Sequence, residues 1–186
     1  MIYVSSFKIN LATRLLQQGQ VIAYPTEAIY GLGCDPLNEY AVRTLLALKR
    51  RPVEKGLILI ASSLQQLQPY LNTDTPGVLD RAISTWPGPT TWVVPAQSWV
   101  PNWLTGQHSS LAVRVTTHPL VTRLCASFGG PIVSTSANIS NQQPARKPYQ
   151  ILKNFGSDTP YIVKGTSSGL DQATSIFDAV TGNQLR

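Results

Sequence analysis

Lys49, Arg50 and Arg51 follow one another at the end of a helix-periodic stretch and are closed by Pro52. Arginine offers bidentate contacts to phosphate oxygens and lysine a compact charge, so this triplet could hold a polyphosphate. Cations at a helix C-terminus also complement the macrodipole by about 0.3 to 1 kcal/mol, which accounts for the triplet without a ligand. Arg114 raises a similar choice. It sits inside LAVRV, residues 111–115, where a charge among apolar neighbours needs a partner, and the chain has 9 acids for 15 lysines and arginines. A ligand carboxylate or phosphate would serve. Strand alternation equally allows Arg114 to point to the solvated face.

Two further stretches place small polar groups at apolar strand ends. YPTEAIYGLG, residues 24–33, and STSANIS, residues 134–140, supply the hydroxyls of Thr26, Tyr30, Ser134, Thr135 and Ser136 and the amide of Asn138. Ligands of open α/β sheets bind beyond strand ends, and these groups suit a polar small molecule. Gly31 and Gly33 would let backbone approach a ligand or adopt positive φ. Each stretch also has the composition of an ordinary turn.

Other chemistries find no pattern. The sequence has neither G-x-x-x-x-G-K-[ST] nor G-x-S-x-G, so it lacks the signatures of a P-loop and of a hydrolase elbow. His108 and His118 stand without metal-spaced companions and read as surface or capping residues. Cys34 and Cys125 form no CxxC motif and no disulfide framework, which fits a reducing cytoplasm. The opening residues lack a signal-peptide pattern, and no apolar run approaches the roughly 20 residues that cross a bilayer. A net charge of +6 and a pI near 9.6 attract nucleotides, phosphates or RNA without choosing among them.

The elements that must position these groups follow from periodicity. Helices are expected over residues 7–18, closed by Gly19, over 38–50, capped by Asn38, over 64–71 as far as Pro69, over 75–85 and over 118–128. Strands are expected at 20–24, 56–62, 90–95, 111–115 and 131–134, with two more in PYIVKG and TSIFDAVTGNQLR. This alternation, over a length typical of one domain (residues 1–186), predicts an α/β fold with an open, twisted mixed sheet and flanking helices.

The ordered set YPTEAIYGLG, KRRP with KGLILIA, WPGPTTWVVPA, LAVRVTTHP and STSANIS resembles the YrdC-like family, in its short single-domain bacterial form, over roughly residues 8–186. The resemblance implies a basic concave site and a synthase that joins L-threonine, bicarbonate or CO2, and ATP into threonylcarbamoyl-AMP, releasing pyrophosphate. Partner proteins would then transfer the group to the adenosine beside the anticodon of tRNAs reading codons that begin with A. Carried over by motif, K-x-R places Lys49 and Arg51 on the ATP phosphates as the catalytic cations, and S-x-N places Ser136 and Asn138 beside the nucleotide. Ser110 and Arg186 would be further ATP contacts. Thr26, Tyr30, Ser134 and Thr174 would line the threonine pocket, with Arg114 as carboxylate clamp. Mg2+ would accompany ATP, held chiefly by phosphates and water.

Two departures stand out. VEKGLILIA occupies the place of an N-P-L-type segment with a histidine, and ATSIFD lacks the proline of the family's P-S-T-I-D segment. Two rival functions fit the charge and pocket: a basic domain that holds structured RNA, in ribosome maturation for example, and a carbamoyl or acyl transferase with another donor.

Overall fold

The computed structural model describes residues 5–167, 169 and 174–186; Ala173, at the place of the missing proline, lies outside them. Helix α1 (Ser6–Gln17) starts where the Ser5 hydroxyl accepts from the Lys8 amide, and Gly19 follows its end at φ +75°. Its buried residues Ile9, Ala12, Thr13 and Leu16 recur at helical spacing and form one face.

The stretch after β1 (Ile22–Pro25) corrects the sequence reading. A strand stands where none was expected: the chain turns through residues 26–29 and returns as β2 (Tyr30–Gly33), antiparallel to β1 with Ile22 opposite Gly33. Gly31 and Gly33 are ordinary strand residues without positive φ.

Helix α2 (Glu39–Lys49) begins at Asn38, whose side chain accepts from the Ala41 amide at 3.0 Å, and stops at Arg50, which is left-handed at φ +47°. Strands β3 (Ile58–Ala61), β4 (Thr90–Pro95), β5 (Ser110–Val115) and β6 (Ile132–Ser136) lie on the apolar runs that predicted them. Helix α3 (Leu64–Leu67) tightens into a 3-10 turn around Pro69, and α4 (Asp80–Ile83) fills only the middle of its expected span. Helix α6 (Pro119–Phe128) matches expectation, whereas α5 (Asn102–Thr105) and α7 (Pro148–Phe155) were not anticipated. PYIVKG contributes only the two-residue β7 (Tyr161–Ile162). TSIFDAVTGNQLR gives β8 (Ser175–Asp178) and a return that bridges Phe177 to Gln184.

Among the described residues these strands form one mixed sheet in the order β7-β1-β2-β6-β3-β5-β4-β8. Helices α1 and α6 pack together over one face, burying Ile22, Tyr24, Ile60 and Ile132. The opposite face buries Leu59, Val113 and Val133 in a larger core that includes α2 residues Val42 and Leu45.

Alternation places the site. Ile60 and Ile132 lie under α1 and α6, so Ile58 and Ser134, two residues along each strand, share their face. Ile58 and Ser134 line an open cavity, as do Ser110, Ala112 and Arg114 of β5. Leu111, Val113 and Val115, the alternate residues of β5, are buried in the larger core. The cavity is the end of the sheet face beyond α1 and α6.

Candidate active site

The cavity has a volume of about 570 Å³. Its floor is a row of cross-strand neighbours: Val93 pairs with Ala112, Ala112 with Ile58, and Ile58 with Ser134. An apolar floor ringed by a few polar groups is the usual build of a small-molecule site.

The polar groups on the β1–β2 side come from the turn. Thr26 closes it, its hydroxyl donating to the Ile29 carbonyl at 2.8 Å. Tyr30 reaches across to residue 165, where its hydroxyl donates to the Gly165 carbonyl at 2.5 Å. Burial raises the Tyr30 pKa, so that hydroxyl keeps its proton. Ser134 and Ser136 line the cavity from β6, and Gly31, opposite Ser136, keeps the space between them free of a side chain.

Arg114 is 5% exposed, which removes the solvated-face reading. It has found a partner that the sequence reading missed. Its Nη2 lies 3.3 Å from Glu27 Oε2, and its Nη1 donates to the Thr174 hydroxyl at 2.6 Å. Glu27 is itself 3% exposed and also accepts from the Thr116 hydroxyl at 2.5 Å. The Arg114 Nε is buried without a hydrogen-bond partner among the described residues, while the side chain lines the cavity. An acid in a turn gives no sequence signal of burial; a scarcity of acids near a buried arginine is the only hint that could have singled out Glu27.

The cations of the K-x-R motif part company. Lys49, the last residue of α2, is 2% exposed and absent from the cavity wall. Its ammonium donates to the carbonyls of Ser136 and, at 2.9 Å, Asn138. Arg51, beyond the left-handed Arg50, does line the cavity; its Nη2 donates to the Gly56 carbonyl at 2.9 Å, and its Nε is buried without a hydrogen-bond partner among the described residues. Arg186 reaches the same space from the return after β8, with Nη2 donating to the Thr174 carbonyl at 3.0 Å. Ser110 sits at the start of β5 on the cavity wall. Asn138 lies behind it: its side-chain NH2 donates to the carbonyls of Ile139 and Gln142, at 2.8 and 2.9 Å, which folds the loop after β6 on itself.

Electrostatically the cations form a chain. Burial lowers the Lys49 pKa to about 8, assisted by the charge of Arg51. Burial lowers that of Arg51, assisted by Arg186, and burial lowers that of Arg186, assisted by Arg114. Asp178 also lines the cavity, but its carboxylate accepts from the amides of Val180 and Thr181. Among the described residues the lining cations Arg51 and Arg186 give the cavity a positive field, offset at Arg114 by Glu27, suited to a ligand bearing several negative charges.

The histidines split as well. His108 is exposed, as expected, yet stands on the cavity wall. His118 occupies the N-cap position of α6 but is 4% exposed, which corrects the surface reading; its Nε2 lies 3.1 Å from the Thr166 carbonyl.

Known proteins with this fold provide an independent comparison. The profile of the family described as "Telomere recombination", Sua5/YciO/YrdC, matches residues 14–186. The chain is 47% identical over 184 residues to the threonylcarbamoyl-AMP synthase of Methylococcus capsulatus (strain Bath), covering 99% of each. It is 50% identical to the protein of that name from Yersinia pestis (strain Pestoides F), covering 98% of this chain and 96% of the other. The structure of P. abyssi Sua5 complexed with L-threonine superposes with a TM-score of 0.90 at 28% identity. That match covers 98% of this chain and 54% of Sua5, so the chain spans about half the length of that protein. E. coli YciO, at 22% identity and a TM-score of 0.82 over 94% of this chain and 84% of its own, shares the fold.

Proposed function

Because the chain belongs to the Sua5/YciO/YrdC family, we propose that its cavity makes threonylcarbamoyl-AMP from L-threonine, bicarbonate or CO2, and ATP, releasing pyrophosphate. The observation that carries this reading is the set of cations Arg51, Arg186 and Arg114 lining one cavity, in which Asp178, the one lining carboxylate side chain among the described residues, is engaged by backbone amides.

In this reaction the amine of threonine captures CO2 as a carbamate, and a carbamate oxygen bonds to the α-phosphorus of ATP as the bond to pyrophosphate breaks. The carbamate and the triphosphate that meet in the second step are both anionic, so catalysis rests on positioning and on charge stabilisation. Arg114, with Thr174 beside it, receives the threonine carboxylate through the guanidinium N–H groups that it turns to the cavity. Thr26, Tyr30 and Ser134 shape the remainder of the amino-acid pocket. Arg51 and Arg186 hold the phosphates, Ser110 and Ser136 contact the nucleotide, and Lys49 and Asn138 set the shape of the loop that follows Ser136.

Mg2+ would enter with ATP. Phosphate oxygens and water would be its chief ligands, because Mg2+ dehydrates reluctantly, and the ion would supply charge neutralisation. The product would be an activated acyl donor for transfer proteins that modify tRNA; a cytoplasmic location and direct contact of this chain with tRNA belong to the same proposal. Among the described residues no helix is long and apolar enough to cross a membrane.

The test is pyrophosphate release from ATP with threonine and bicarbonate present, each omitted in turn, and mass spectrometry for threonylcarbamoyl-AMP. Release that needs both co-substrates and yields that mass establishes the synthase. RNA binding without turnover would return the RNA-holding alternative, which the likeness to named synthases does not favour. A carbamoylated or acylated product without AMP would point to the transferase.

A further inference from the structure

Glu27 is a buried acid to which none of the steps above assigns a role. Its carboxylate closes a line of contacts from the start of α6 to the cavity wall. The His118 amide donates to the Thr116 hydroxyl at 3.0 Å, and that hydroxyl donates to Glu27 Oε1 at 2.5 Å. Glu27 Oε2 faces Arg114 Nη2 at 3.3 Å, and Arg114 Nη1 donates to Thr174 at 2.6 Å. Glu27 therefore has one oxygen anchored to the scaffold and the other on the guanidinium.

Arginine is a long side chain with several rotatable bonds, and an unanchored guanidinium loses conformational entropy each time it binds. Here each Nη atom is held by one contact, Nη2 by the Glu27 carboxylate and Nη1 by Thr174, which leaves each a second N–H. We propose that Glu27 is a positioning residue: it fixes the plane of the Arg114 guanidinium so that the N–H groups lining the cavity meet the substrate carboxylate already oriented. Its negative charge also offsets that of Arg114, which keeps the cation buried in the absence of substrate. The turn between β1 and β2 thus has a second task beyond lining the pocket with Thr26, since the residue after Thr26 holds the clamp. This inference rests on the reading of Arg114 as the carboxylate clamp for threonine.

Steady-state kinetics of pyrophosphate release on four proteins test it: wild type, Glu27→Gln, Glu27→Asp and Arg114→Lys. Glu27→Gln keeps shape and removes charge; it should raise the KM for threonine about tenfold or more and leave the KM for ATP within about twofold. Glu27→Asp restores the charge one methylene short, so its threonine KM should lie between those of wild type and Glu27→Gln, at least about threefold above wild type. A general structural defect would instead move both KM values or kcat. Thermal unfolding of each variant guards against loss of the fold; if Glu27→Gln does not fold, Glu27→Asp alone must show the rise confined to threonine. A threonine KM unchanged in the Glu27 variants, or a rise equal for both substrates, overturns the positioning role. If Arg114→Lys raises the threonine KM while the Glu27 variants do not, the clamp stands and only the role of Glu27 falls. If Arg114→Lys leaves threonine untouched, the clamp itself is wrong.

Discussion

The Lys49 ammonium meets the carbonyl of Asn138 at 2.9 Å across 89 positions of sequence. With its second bond to Ser136, it ties the end of α2 to the loop after β6, so the K-x-R and S-x-N motifs are parts of one structure. Lys49→Met would leave two carbonyls without their charged donor. It should lower stability by about 2–4 kcal/mol and ATP-dependent turnover by about tenfold or more, measured by urea unfolding and pyrophosphate release.

The depressed pKa of Lys49 adds a pH signature. Burial lowers it to about 8 in the folded protein, against 10.5 for an unperturbed lysine, so between those values the unfolded chain holds the extra proton. Stability from this group therefore rises with pH across that window. The stability gap between wild type and Lys49→Met should widen from pH 8 to pH 10; a constant gap would show that the lysine does not titrate there.

Arg51 and Arg186 should differ in weight. Arg51 is half-buried with an unpaired Nε, and Arg51→Ala should raise the KM for ATP by about ten- to a hundredfold with little change for threonine. Arg186 is more exposed, so Arg186→Ala should cause a smaller rise that shrinks further with added salt. Initial rates at two ionic strengths separate them.

His118 predicts sensitivity to acid. Burial lowers its pKa below 6.5, although the Thr166 carbonyl and the charge of Glu27 pull the other way. Below pH 6.5 the unfolded histidine takes up a proton that the folded one resists, so this contribution to stability is lost as pH falls. His118→Gln should flatten the decline in unfolding free energy between pH 7.5 and pH 5.5 by up to about 1 kcal/mol, read from urea titrations at both values.

The two glycines of β2 should respond differently to alanine. A Cβ on Gly33 would stand 2.5 Å from the Val133 carbonyl oxygen and 2.7 Å from a Tyr24 ring carbon, so Gly33→Ala should lose about 1–3 kcal/mol of stability. A Cβ on Gly31 would meet nothing closer than 3.4 Å, yet Gly31 lines the cavity. Gly31→Ala should keep the fold and raise a substrate KM, a contrast checked by unfolding and kinetics on the same preparations.

The sheet was legible where side chains carry the period. LAVRV announced both β5 and its one anomalous residue, and the apolar runs gave β3, β4 and β6. YPTEAIYGLG misled because glycine has no side chain to alternate: β2 is defined by its neighbours β1 and β6, which sequence periodicity cannot register. Short α5 and α7 were missed for want of enough turns to show a pattern. In the site, Arg114 and Arg51 were visible as cations in need of partners. Glu27 was not, because its burial depends on Thr116, 89 positions away, and Lys49 and His118 likewise meet partners 89 and 48 positions away.

Strands β7 and β8 follow each other in the chain yet lie at opposite margins of the sheet. On a ribosome, residues 22–136 emerge first and can assemble the six inner strands, but β1 and β4 then carry bare backbone donors and acceptors open to a neighbouring chain. Strands β7 (Tyr161–Ile162) and β8 (Ser175–Asp178) seal the two margins, and near them Gly165 meets Tyr30 and Thr174 meets Arg114. Protection from aggregation and completion of the pocket are therefore a single late event in the life of the nascent polypeptide. A ribosome stalled before residue 160 would expose a sticky, catalytically blank intermediate, a natural client for chaperones.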